Sequence, residues 1–166
     1  MFYRQASDQY VIAGVAFTVN GTQYPANWLN YATLEEKAEL GLVEVTNANS
    51  PEDDRFYWVS STLNGAVRTY TNTPKNLDEL KKQWKNKTNN TCYVMLLPND
   101  WMVTKQVETG EPMPVAWNTW RASMRTTASN ACKDIDAAAD IPALKLAIVI
   151  DWPHDPDYVP PVVVVP

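Results

Sequence analysis

Glycine is scarce in this chain: only Gly14, Gly21, Gly41, Gly65 and Gly110 occur among 166 residues. They lie too far apart to build a phosphate-cradling loop or a dinucleotide-binding fingerprint. Histidine is scarcer still, a single His154 in a proline-rich terminal stretch. Catalysis by a nucleophile, histidine and acid needs a rigidly held imidazole, which such a position does not offer. The two cysteines, Cys92 and Cys132, have no metal-ligand spacing and are too few for a disulfide framework, so both read as reduced thiols. No apolar run approaches the roughly 18 residues of a membrane span. Residues 11–17, following Arg4, mimic the apolar part of a signal peptide, but Asp8 precedes them and no clear cleavage site follows. A strand there, and synthesis in a cytoplasm, are expected.

Positive charge is also in short supply. Fourteen Lys and Arg face nineteen Asp and Glu, a net charge of −5, and such a balance repels phosphate backbones. No nucleic-acid partner is therefore expected. The one basic run, Lys81, Lys82, Lys85 and Lys87 around Trp84, reads as a solvated helix face beside a core tryptophan. Asp53-Asp54 and the trio Asp151, Asp155 and Asp157 lack the glycine and terminal glutamate of a calcium-binding loop. No cofactor motif is present, and a non-enzymatic protein is expected.

Hydrophobic residues are plentiful at 45%, with seven Trp and eight Tyr, so the chain can fill a packed interior. The pattern predicts an α+β fold in three parts. Residues 1–73 read as a small antiparallel β-meander with short helices, 74–150 as a hairpin of two long helices, and 151–166 as an extended proline-rich tail. In the first part Val11, Ala13, Val15 and Phe17 alternate as a strand would, and Asn20-Gly21 signals a tight hairpin. Residues 25–31 read as a helical turn. Thr33 and Glu36 form a capping box opening a helix of about two turns, with Gly41 as its left-handed cap. A strand at 42–45, a loop at 47–54 and a second hairpin turning at Asn64-Gly65 complete it.

In the second part Asn76 can cap a long helix striped by Leu77, Leu80, Trp84, Thr88, Thr91 and Met95, ending at Pro98 and Asn99-Asp100. A connection over 101–114 leads to a second stripe of Trp117, Trp120, Met124, Ala128, Ala131 and Ile135. Two such stripes make an αα-hairpin, or contribute to a homo-oligomeric bundle. Asp140 can cap a last short helix with Pro142 in its first turn. In the tail, five prolines exclude helix. Val162, Val163, Val164 and Val165 form a sticky, β-prone run able to dock on a partner's sheet edge.

Two stretches carry a resemblance. The first runs Asn20-Gly21-Thr22-Gln23-Tyr24-Pro25-Ala26-Asn27-Trp28-Leu29 into the charged helix ending at Gly41. The second runs from Leu97-Pro98-Asn99-Asp100-Trp101 through residues 107–112 to Trp120-Arg121 and Met124-Arg125. Together they resemble phage tail-fibre assembly proteins and related small tail proteins, over roughly residues 20–150. The chain departs at Asn99, where threonine is common, and at Trp120, where tyrosine usually precedes the arginine. The resemblance implies a non-enzymatic protein that binds tail fibre or baseplate proteins during fibre assembly in the host cytoplasm. The second reading is a permanent virion component, such as a fibre adaptor or baseplate decoration. Asp100, Trp101, Trp120, Arg121 and Arg125 are the expected binding residues, joined by the four valines of the tail. Aromatic and arginine side chains are the usual anchors of such contacts.

Overall fold

The computed structural model describes residues Met1–Val159. The expected tail contact through Val162, Val163, Val164 and Val165 lies outside the described residues. The chain is α+β and divides into two compact units, Met1–Pro74 and one that begins at Lys75.

The first unit is built from short antiparallel pairings. Strand β1 (Phe2–Arg4) lies between β2 (Gln9–Val11) and β5 (Leu42–Glu44), with Phe2 opposite both Val11 and Glu44. Strands β3 (Phe17–Val19) and β4 (Thr22–Tyr24) form the hairpin signalled by Asn20-Gly21, both residues having positive φ. The expected strand across residues 11–17 does not form. Gly14 takes φ +86 and the Val15 amide bonds back to the Ile12 carbonyl at 3.2 Å, making a turn. Val11 and Phe17 are both buried, but they reach the core from separate strands, while Ile12 and Val15 are exposed. Alternation in the sequence cannot distinguish these cases, because a turn between two inward residues conserves their spacing.

The core here is Val11, Phe17, Val19, Leu29 and Leu42. Phe17 stacks on Tyr24 at 5.1 Å between ring centres, and Trp28 meets both edge-on, which fixes helix α1 (Trp28–Tyr31) against the hairpin. Helix α2 (Leu34–Glu39) opens with the expected capping box. The Glu36 amide donates to Thr33 Oγ1 at 3.2 Å and the Thr33 amide to Glu36 Oε2 at 2.7 Å.

The third sheet has the order β6 (Thr46–Asn47), β8 (Val67–Pro74), β7 (Tyr57–Asn64), with β6 parallel to β8. Asn64 pairs with Val67, so the turn residues are Gly65 and Ala66, one position later than the expected Asn64-Gly65. Gly65 sits at φ +57 in the first loop position, where the turn requires the left-handed region. The segment expected to be a plain loop, 47–54, is instead tied to β8. Asn49 donates to the Tyr70 carbonyl at 2.9 Å and accepts from the Tyr70 amide at 2.8 Å.

The second unit is the helical hairpin. Helix α3 (Leu77–Leu96) is capped by Asn76, whose side chain accepts from the Glu79 amide at 3.0 Å. It packs along α5 (Val115–Ala137). On α5 the expected stripe is buried at Trp120, Met124, Ala128, Ala131 and Ile135, and Trp117 is half-buried. On α3 the buried residues are Leu80, Thr88, Cys92 and Leu96, so the stripe advances in fours where the sequence suggested Thr91 and Met95. Thiol and leucine side chains both suit an apolar interface, and neither alternative is excluded by composition.

Helical structure does not stop at Pro98. A 3-10 turn over Leu97–Asn99 leads into α4 (Asp100–Thr109), and only residues 110–114 connect to α5. The expected connection over 101–114 was too long because α4 buries none of its residues and therefore shows no apolar stripe. Asp140 caps α6 (Ile141–Ala147) by accepting from the Ala143 amide at 2.8 Å. Among the described residues no helix is long and apolar enough to cross a membrane.

Candidate functional site

Proline 98 creates the local geometry of the candidate site. It has no amide hydrogen to give the Val94 carbonyl, and the helix passes into a 3-10 turn over Leu97–Asn99. The Asp100 amide then bonds the Leu97 carbonyl instead of the Leu96 carbonyl that a continuous α-helix would require. Arg121, reaching across from α5, takes up the Leu96 oxygen with Nη1 at 3.0 Å. Its Nη2 donates to Asp100 Oδ1 at 2.5 Å, an ion pair at the first turn of α4. The negative carboxylate there also complements the helix dipole. One guanidinium thus holds the end of α3 and the start of α4 together.

Trp120, the neighbouring residue, faces the interior with Cys92, Leu96, Met124 and Ala128. Trp117 meets it edge-on at 5.5 Å. The Trp120 indole N–H donates to the Pro153 carbonyl at 2.9 Å, and Trp152 packs on the same cluster. The start of the tail is therefore docked on the helical hairpin of its own chain. Beyond it His154 stacks on Tyr158 with ring centres 3.9 Å apart.

The residues of the second resembling stretch gather at this joint. Asp100 and Arg121 are paired, Trp120 and Arg121 are buried, Trp101 is 58% exposed, and Arg125 is exposed one turn beyond Arg121. An open groove of about 650 Å³ between α3 and α5 is lined by Tyr93, Asp100, Arg121, Arg125, Cys132 and Asp136, among others. Trp120 and Arg121 are interior residues, so any effect they have on a partner runs through the shape they hold. Tyr93, which is 58% exposed on this groove, was missed by sequence reasoning because it falls off the α3 stripe. Trp152 and Pro153 were missed as hairpin contacts because nothing in the sequence says which surface a proline-rich segment will meet.

Two thiols line the groove. Burial pushes the Cys92 thiol up from its ordinary range, against the lowering influence of Arg125 and Arg121, and burial likewise raises Cys132. Cys92 donates to the Met124 carbonyl and Cys132 to Asn89 Oδ1, each at 3.6 Å. Thiols in that state are weak nucleophiles. Among the described residues no cluster of His, Cys, Asp and Glu is placed to hold a metal ion. No family model, curated protein or solved structure matches the chain.

Proposed function

We propose that the chain is a non-enzymatic phage tail protein that binds a tail fibre or baseplate protein during tail-fibre assembly. The observation that carries this reading is the joint between α3 and α4. There a buried arginine clamp fixes the backbone, and Trp101, Arg125 and Tyr93 stand exposed around it. Rigidly supported aromatic and arginine side chains beside a groove are the composition of binding hot spots. Trp101, Arg121 and Arg125 also belong to the stretch that resembles tail-fibre assembly proteins.

Co-expression tests the reading. Tagged full-length chain is produced with each long fibre and baseplate protein of its phage, and retention is measured after stringent washing. Retention of one fibre or baseplate protein, together with a rise in that partner's soluble yield, is the expected result. Failure to retain any of them overturns the proposal. Quantitative mass spectrometry of purified virions then separates a transient assembly role, in which the chain is strongly substoichiometric, from a permanent adaptor or decoration.

A further inference from the structure

Helix α5 carries Arg121, Arg125, Ser129 and Lys133 at every fourth position, and all four line the groove it forms with α3. Residues four apart are neighbours on a helix surface, so they make one row. Both ends of the row are neutralised. At one end Arg121 is paired with Asp100. At the other, Lys85 of α3 bonds the Asp136 carboxylate at 2.7 Å and Lys81 donates to the Asp136 carbonyl at 3.0 Å. Every carboxylate lining the groove is thus matched. Arg125 and Lys133, lying between these ends, have no ion-pair partner among the described residues, and both are exposed.

The chain as a whole has a net charge of −5, yet both unmatched groups in this groove are positive. The Arg125 charge is felt at the groove floor, where with Arg121 it opposes the burial that raises the Cys92 thiol. That floor is apolar, since Cys92, Leu96 and Ala128 pack there as part of the hairpin core, and the exposed ring of Tyr93 flanks it. Two cations over an apolar floor complement a segment that carries two anions around an apolar side chain.

Resting on the binding role proposed above, we propose that the groove takes an extended acidic segment of the partner protein. One carboxylate of that segment meets Arg125, a second meets Lys133, and an apolar side chain between them lies on the floor. Arginine offers a carboxylate two parallel hydrogen bonds, and lysine offers a point charge. Eight residues separate Arg125 from Lys133, a rise of about 12 Å along α5. An extended chain covers about 13 Å in four residues. Positions one, three and five of a strand share a face, so acids at one and five leave the third residue over the floor. A helical segment of the same length, about 10 Å or more across, would fill roughly 900 Å³. The groove holds about 650 Å³. A nucleic acid would bring a negative charge on every phosphate against the chain's own net negative charge, whereas the acidic segment brings two.

Fluorescence anisotropy with the full chain and labelled peptides tests this. Each peptide is glycine and serine apart from one leucine and two glutamates, placed on either side of it at a separation that is varied. Binding is expected to be tightest at a separation of about four residues. Replacing both glutamates by glutamine should weaken it about twentyfold, and Arg125→Gln or Lys133→Gln about fivefold each. Lys82→Gln, an exposed lysine of α3 outside the groove, should leave binding unchanged. Thermal melts of all three variants should match the parent's, because these side chains are exposed. Equal binding of glutamate and glutamine peptides overturns the proposal, and so does a loss on Lys82→Gln as large as on Arg125→Gln. An oligothymidylate that displaces the peptide overturns it in favour of nucleic acid. A concentration-dependent dimer lost on Arg125→Gln overturns it in favour of a second copy. No peptide binding, beside a retained fibre or baseplate protein, overturns the acidic segment and leaves the binding role standing. Peptide binding with the expected pattern, and no such protein retained, supports the acidic segment and overturns the phage tail assignment alone.

Discussion

A guanidinium that is 4% exposed must satisfy its hydrogen-bonding directions inside the protein, and Arg121 does so at the ends of two helices. Its partner Asp100 is half-exposed and can recover water if the pair is broken, whereas the Leu96 carbonyl loses its side-chain donor. Arg121→Met should therefore cost about 2–3 kcal/mol and Asp100→Asn only about 1 kcal/mol in denaturant unfolding. Equal losses for the two would mean that the Leu96 bond contributes nothing. The thiols give a second check at this scale. Burial raises both pKa values, so both should alkylate slowly at neutral pH, and the half-buried Cys132 should react ahead of the buried Cys92. Peptide mass mapping after brief iodoacetamide treatment reads the order, and Cys92 reacting first would contradict the packing of α3 on α5. Asp100 and Arg121 were legible from the sequence as members of one expected binding region. Their joint hold on a helix interruption was not, because that depends on which carbonyl the 3-10 turn leaves to a side chain.

At the scale of elements, the ends were easier to read than the interiors. Thr33 with Glu36, Asn76 and Asp140 each cap the helix that their sequence context announced, because a cap is a contact across three residues and needs no tertiary partner. Asn76→Ala should accordingly lower stability by about 1 kcal/mol, measured by thermal unfolding, without altering the hairpin's helical content. Elements defined by distant partners had no readable bounds, although residues 1–24 read as β-structure. Strand β1 is three residues long and carries Arg4, whose Nε donates to the Leu40 carbonyl at 3.0 Å, and it exists only between β2 and β5. Helix α4 was missed for the opposite reason, since it buries nothing and its sequence carries no period. The α3 stripe was read correctly at Leu80 and Thr88 and lost at Cys92 and Leu96, where steps of three and four are equally compatible with the sequence. Trp120→Phe retains most of the ring but removes the donor to Pro153, and should cost about 1 kcal/mol while speeding proteolysis after residue 150. Unchanged proteolysis would show that Trp152 alone holds the segment.

For the whole molecule, composition and pattern were enough for the α+β arrangement of short antiparallel strands followed by long helices. The number of small sheets and the parallel pairing of β6 with β8 were not readable, because they arise from contacts between segments some twenty residues apart. The proposed binding role rests on Trp101 and Arg125 standing exposed beside a joint whose rigidity comes from buried residues. Exposed side chains of this kind contribute little to folding, so binding and stability can be separated. The decisive measurement is the affinity of the retained fibre or baseplate protein for the Trp101→Ala/Arg125→Ala double variant, by titration calorimetry, beside its unfolding curve. The expected result is affinity weaker by at least about a hundredfold, as two hot-spot truncations imply, with stability within about 0.5 kcal/mol of the parent. Binding as tight as the parent's, with the fold intact, would contradict the assignment of this joint as the site.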